Sequence, residues 1–167
     1  VFNGSLERVS GESRGSYIIG QGSILFSDKD TFLASNYELA FTSGVDFTIT
    51  NKLLSDQDIS ALPISDLIYN GQSQAPRVDL KDVDIVLVED VDYELYYDNN
   101  TDAGKATITI TGLGNYGGVR TVTFNIIPRV ITVTPDTDQS KEYGESDPVF
   151  TYTFSGEASG ETPDFEN

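Results

Sequence analysis

The side chains best placed to do chemistry are carboxylates. Residues 79–102 hold nine of them (Asp79, Asp82, Asp84, Glu89, Asp90, Asp92, Glu94, Asp98 and Asp102) against one base, Lys81. Hard oxygen ligands in this number point first to a divalent cation. Asp98, Asn99, Asn100 and Asp102 would offer calcium several oxygens from one loop. The D-x-D-x-D-G loop is absent, however, and Asn and Asp also close tight turns by hydrogen-bonding the nearby backbone. A hairpin turn with a solvated acidic face is the reading these residues favour, with calcium as the functional alternative. A glycosidase-like pair of carboxylates has less support. In so acidic a chain any two carboxylates match some spacing, there is no Trp, and no aromatic-walled cleft is indicated. Tyr69, Tyr96, Tyr97 and Tyr116 would suit stacking on a sugar. Alternation sets Tyr93, Leu95 and Tyr97 on one face and Tyr96 on the other, which makes Tyr96 the candidate ligand contact while the rest pack.

Composition narrows the choices. Of 167 residues, 27 are Asp or Glu and 10 are Lys or Arg, for a formal net charge of −17. No basic patch is available to neutralise phosphates, so nucleic acid is not a partner. An anionic membrane surface would repel the chain. His and Cys are both absent. Their absence removes Cys- and His-ligated metals, Ser-His-Asp and Cys-His catalysis, and disulfides. The chain therefore reads as non-enzymatic, with no cofactor expected unless calcium binds. An isopeptide bond from Lys105 or Lys141 would need a buried acidic catalyst, and Lys105 lies outside the apolar parity of its strand. No apolar run reaches 18 residues, so no membrane insertion is expected in this fragment. No signal peptide or anchor is recognised, and the start at Val1 reads as a mature or excised fragment. A chain without Cys or Met also suits an oxidising, secreted setting.

The elements that must position these residues are strands. Lys105 to Thr111 alternates Ala106, Ile108 and Ile110 with Thr107, Thr109 and Thr111, the pattern of a half-buried strand. Thr121 to Ile127 repeats it, with Val122, Phe124 and Ile126 inward. Tyr37–Phe41, Phe47–Thr50, Tyr93–Tyr97, Ile131–Thr134 and Phe150–Phe154 are further strands by the same alternation. Asp28–Ala40 has apolar positions at roughly helical spacing and would allow one short helix. Many short strands between Gly, Asn and Asp turns predict an all-β fold, a sandwich or a barrel-like architecture. Phe47-Thr48-Ile49 and Phe124-Asn125-Ile126 each close a run before a polar or Pro-containing junction. These junctions divide the chain into 1–51, 52–129 and 130–167. The two flanks are each small for an independent core.

The middle piece carries Tyr69-Asn70-Gly71, Pro76, Asp92-Tyr93, Tyr97-Asp98-Asn99-Asn100, Ala103-Gly104-Lys105-Ala106 and Gly112-Leu113-Gly114-Asn115-Tyr116. It resembles the bacterial Ig-like repeats of large surface adhesins. The flanks resemble the MBG domain of the YGX type, in two pieces. Lys141-Glu142-Tyr143-Gly144, Asp147-Pro148 and Phe150–Phe154 match its opening half. Gly4-Ser5-Leu6-Glu7-Arg8, Gly11-Glu12, Gly15-Ser16-Tyr17-Ile18, Asn36-Tyr37-Glu38-Leu39 and Phe47-Thr48-Ile49 match its closing half. The halves stand in reversed order, the closing half at the start of the chain and the opening half at its end. Arg8 and Glu12 fall in the closing half, where an Arg bonded to a carboxylate or to loop carbonyls would brace the turn at Gly11.

The resemblance implies an Ig-like β-sandwich beside a second small β domain represented by its two halves. It also implies a structural repeat of a large extracellular adhesin or filament on a bacterial cell surface. The partners would be neighbouring repeats of the same protein, including head-to-tail copies that complete the half-domains. The alternative is an adhesin module that itself binds a glycan or a host protein.

Overall fold

In the computed structural model residues 1–163 are described, and every regular element among them is a strand or one short turn of 3₁₀-helix. The strands are β1 (Phe2–Asn3), β2 (Glu7–Arg8), β3 (Gly15–Gly20), β4 (Leu25–Phe26), β5 (Asp46–Ile49) and β6 (Lys52–Leu53). Next come β7 (Ile59–Ala61), β8 (Leu67–Ile68), β9 (Leu80–Asp82), β10 (Ile85–Val86) and β11 (Tyr93–Asp98). The last are β12 (Gly104–Gly112), β13 (Tyr116–Gly117), β14 (Val119–Ile127), β15 (Thr132–Pro135) and β16 (Tyr152–Ser155). The fold is all-β, as the alternation predicts. Among the described residues no helix is long and apolar enough to cross a membrane.

Two expectations need correction. Asp28–Ala40 forms no α-helix; only Ala34–Asn36 turns, as 3₁₀, with its first amide held by the Asp28 carboxylate at 2.6 Å. Its apolar residues instead serve a small aromatic cluster, in which Phe32 stacks on Tyr37 at 4.7 Å and meets Phe26 edge-on at 5.9 Å. Tyr37–Phe41 is likewise not a strand. Its alternation is genuine, but Tyr37 is engaged by Phe32, and a strand forms only where a neighbour offers a ladder.

Contacts divide the chain into two compact units. The first comprises Val1–Asp56, Val88–Glu94 and Thr111–Val119. It contains the β1–β4 pair, the three-stranded sheet β2-β3-β5, and the parallel pair β6–β13. Its fully buried apolar residues are Leu54 and Tyr93, and none lies within 1–51. Close approaches around β13 explain two glycines. A Cβ on Gly112 would come within 2.5 Å of the Gly117 amide nitrogen, and one on Gly117 within 1.7 Å of the Asn51 side chain. At Gly112 two backbones meet with no room for a side chain, and at Gly117 the Asn51 side chain takes the space a Cβ would need.

The second unit comprises Gln57–Leu87, Leu95–Ile110 and Arg120–Asn167. It holds the sheet β10-β9-β7, the bulk of the sheet β11-β12-β14-β8, and the antiparallel hairpin β15–β16. Here the period-2 pattern builds a core. Ala106, Ile108 and Ile110 of β12 and Phe124 and Ile126 of β14 are buried, as are Ile59, Val78, Leu80 and Leu87. The threonines between them face outward or lie part-buried. Arg120 bridges the two sheets, its guanidinium donating to the Ile59 carbonyl at 2.7 Å. Beyond residue 129 the burial stops: among the described residues of 130–163 only Ala158 is buried.

The β9–β10 hairpin carries a local conflict. Its two-residue loop, Val83-Asp84, has positive φ at Val83 (52°), where such loops place glycine. A β-branched residue there is strained by about 1 kcal/mol. Val83→Gly is expected to raise stability by about that amount in urea unfolding, and Ile108→Ala to lower it by about 2–5 kcal/mol.

Candidate functional site

Residues 1–49 build one sheet face around an arginine. Antiparallel register places Arg8 opposite Ile19, Tyr17 opposite Phe47 and Gly15 opposite Ile49, so these side chains share one face of β2-β3-β5. The Arg8 guanidinium lies 5.0 Å from the Tyr17 ring centre and 5.1 Å from that of Phe47. Its nitrogens donate to the Gly11 carbonyl at 2.5 Å, the Val9 carbonyl at 3.1 Å and the Glu12 carboxylate at 2.6 Å. The bracing of the Gly11 turn by Arg8 and Glu12 is therefore observed. Residue spacing does not point to the two rings beneath the guanidinium, because ring contact depends on strand register that spacing alone does not fix. Cation–π contact adds to packing here. Leu6, Glu7, Arg8, Ile19 and Phe47 line an open depression of about 230 Å³ on this sheet. The opposite face carries the exposed Ile18 beside polar side chains, with Ser16 donating to Asp46 at 2.7 Å.

Residues 131–155 form a second such face. In the β15–β16 hairpin Val133 pairs with Phe154 and Pro135 with Tyr152, while Thr132 pairs with Ser155 and Thr134 with Thr153. One face is therefore apolar and the other carries hydroxyls. On the apolar face Val133 is 49 % exposed and Tyr152 39 %. The loop between the strands is held by Gln139, which accepts from the Thr151 amide at 2.6 Å and donates to the Thr151 carbonyl at 3.0 Å. Lys141 pairs with Asp147 at 2.5 Å across the Tyr-Gly turn. Tyr143 itself is fully exposed. Lys105 is exposed too, which removes the buried setting an isopeptide bond needs.

A concavity of the second unit, about 730 Å³, is lined by Tyr69, Asp102, Arg129, Glu157 and Glu161 among others. The Tyr69 hydroxyl donates to the Glu161 carboxylate, tying the Tyr-Asn-Gly opening to the chain end. That bond, then burial and the charges of Glu161 and Asp102, raise the Tyr69 pKa above its usual value of 10.0. Arg129 donates through Nε to the Gly156 carbonyl at 2.5 Å. Among the described residues Glu157 Oε2 is buried and has no hydrogen-bond partner.

The calcium candidates lie in the β11–β12 loop. Asn99 takes φ of 55°, and its amide donates to Asp98 at 3.0 Å. The Asn100 amide donates to the Ser73 hydroxyl at 2.8 Å and the Gln74 carbonyl at 2.9 Å. Asn100 thus pins two loops together, and Asp98 has taken a neighbour's amide. Among the described residues no group of three or more carboxylates converges as a metal site. Tyr96 stands outward at 68 % exposure, and Tyr93 is buried.

The geometry defines a class: an acidic all-β chain with a packed middle stretch and flanking sheets that bury few side chains among the described residues. One of those sheets falls within a family match. Residues 131–166 match the MBG domain (YGX type), a domain typical of bacterial surface proteins and not an enzyme family. No curated protein and no solved structure matches the chain.

Tyr69 yields a pH prediction. A tyrosine whose folded pKa is raised supports folding below its unfolded pKa, and that support is lost as pH rises through the folded value. Wild type should lose Tm above pH 10 more steeply than Tyr69→Phe, as followed by circular dichroism. For the loop, millimolar calcium is expected to leave the Tm equal to that in EDTA; a rise of several degrees would assign an ion to Asp98 and Asp102.

Proposed function

We propose that the chain is a non-enzymatic structural repeat of a large extracellular bacterial surface protein, an adhesin or filament in which it serves as a stalk or fibre module. The observation that carries this reading is the distribution of burial. Residues 54–126 supply nearly all the buried apolar side chains, whereas 1–51 contain no buried residue and the described part of 130–163 contains one. A free-standing domain does not leave sheets in this state, since an apolar face exposed to water contributes nothing to its own stability. A repeat whose neighbours complete its sheets does. The MBG match at 131–166 supports the surface setting.

In this reading residues 52–129 are the Ig-like sandwich, and 1–51 and 130–167 are the closing and opening halves of MBG-like domains. The neighbouring repeats are the partners, and they supply the missing half on each side. The net charge of −17 keeps a long array soluble and its modules laterally apart. The chemistry of the chain fits the role: its carboxylates are dispersed over loops and edges, and cations brace turns such as those at Gly11 and Tyr143.

Force spectroscopy on a tandem array of the chain tests the proposal. Each central sandwich should release a fixed contour length of roughly 250 Å in discrete, repeated steps, given ~3.3–3.6 Å per extended residue. Extension without such steps would overturn the mechanical role. The second reading, direct recognition, rests on exposed Tyr96, and saturable glycan binding abolished by Tyr96→Ala would replace the stalk reading with it.

A further inference from the structure

We infer that Tyr69-Asn70-Gly71 is the seat of an internal latch: residues 156–161 strap the β15–β16 hairpin to the sheet β11-β12-β14-β8 and hold it at a fixed angle. The use of such a latch rests on the stalk reading; its geometry does not.

The seat is held in shape by its own bonds. The Tyr69 amide donates to the Ile127 carbonyl at 3.0 Å, which carries the β8–β14 pairing one residue further. The Asn70 side-chain oxygen accepts the Gln72 amide at 2.9 Å and closes the turn. Gly71 takes φ of 77°, the left-handed region that favours glycine. Its missing side chain also leaves room for the strap. A Cβ at Gly71 would lie 3.4 Å from the Ala158 Cβ and 3.2 Å from a Glu161 carboxylate oxygen.

The strap fills that room. The Glu161 amide donates to the Ala158 carbonyl at 3.1 Å, so one turn carries both residues that meet the seat. Ala158 is 2 % exposed, and among the described residues beyond 129 it alone is buried. The Tyr69 hydroxyl donates to the Glu161 carboxylate, a charge-assisted bond that fixes direction as well as proximity. The other end of the strap is rooted where the chain leaves β14. There Arg129 Nε donates to the Gly156 carbonyl at 2.5 Å, and a Cβ on Gly156 would fall 2.3 Å from the Val130 carbonyl oxygen.

Root and pin are separate attachments. A hairpin held at its root alone could swing about residues 128–130, and a second attachment at the seat removes that freedom. Between the two lies the concavity of about 730 Å³ bordered by Tyr69, Arg129, Glu157 and Glu161, so the strap is anchored at its ends and not along its length. A segment tied by so few contacts opens locally without unfolding the core. Residues 156–161 fall within the MBG match and the seat falls outside it, so the latch joins the matched segment to the central sheet. In a stalk the same joint, repeated in every module, would give the array a set direction.

A distance measurement between two spin labels tests the latch. The chain has no Cys, so Tyr96→Cys on β11 and Thr134→Cys on β15, both exposed, put one label on the sheet and one on the hairpin. Electron double resonance on the labelled 167-residue chain should give a single narrow distance peak. Tyr69→Phe removes the pin, and Ala158→Leu overfills the gap at Gly71. Each should replace the narrow peak with a broad distribution, most fully when the two are combined. Neither substitution falls among the buried residues of β12 and β14, so a retained cooperative melt separates a released hairpin from an unfolded chain. A distribution already broad in the labelled parent would overturn the inference, and so would a double variant as narrow as the parent. The stepwise extension of a tandem array depends on the central sandwich and moves with neither variant, so the stalk reading stands or falls separately.

Discussion

A β-sheet with one apolar face is stable only when that face is covered, and the arrangement of this chain follows from where the cover is present. In the second unit Ile108, Ile110, Phe124 and Ile126 have a facing layer in Ile59, Val78, Leu80 and Leu87, and water is excluded from both. At about 25 cal/mol per Å², such burial contributes more than any other interaction to holding a small β domain together. At either end of the chain the same pattern of alternating side chains is laid down with almost no buried residue among those described. The local chemistry there compensates in part. Arg8 is stacked on two rings and tied to three acceptors, and Gln139 closes the β15–β16 loop in place of a longer ladder.

Polar side chains do much of the positioning of loops. Asn100 ties the β11–β12 loop to Ser73 and Gln74, and within the first unit Asn115 accepts from the Arg14 amide at 2.7 Å. These are exposed or part-buried bonds, each contributing on the order of 1 kcal/mol. They serve as fasteners that set loop direction. The acidic segment acts in the same way: its residues shape turns at Asp90 and Asn99, both with positive φ, and keep the surface hydrated.

Much of the fold is legible in the sequence because period-2 alternation is a local signal. The strands at Gly104–Gly112 and Val119–Ile127 and their inward residues follow from it directly, and so does the exposure of Tyr96. Tyr37–Phe41 misleads for a physical reason: alternation states a preference for a ladder, and only tertiary neighbours grant one. The Arg8 bracket is legible because Arg8, Gly11 and Glu12 fall in the stretch that resembles the closing half of an MBG domain, and all three lie within one turn. The bond between Tyr69 and Glu161 and the rings beneath Arg8 are not, since they join residues far apart in the chain through registers that no short motif encodes. For Tyr69 the available signal is only the Tyr-Asn-Gly turn, which fixes its own backbone and says nothing of what its hydroxyl meets.

The parallel pairing inside the central sheet has a mechanical meaning. β8, near the start of that sheet, runs parallel to β14, near its end, with Leu67 beside Ile126 and Ile68 beside Ile127. Tension applied from the two ends of the chain would draw these neighbours past each other along their length. Their hydrogen bonds would then be loaded in shear, all at once, and not opened one after another as in a peeled hairpin. The clamp is short, a two-residue register extended by the Tyr69 amide to the Ile127 carbonyl at 3.0 Å. Its strength would rest on simultaneity, and a proline replacing Tyr69, which removes one of those few bonds, would weaken it out of proportion to the area involved.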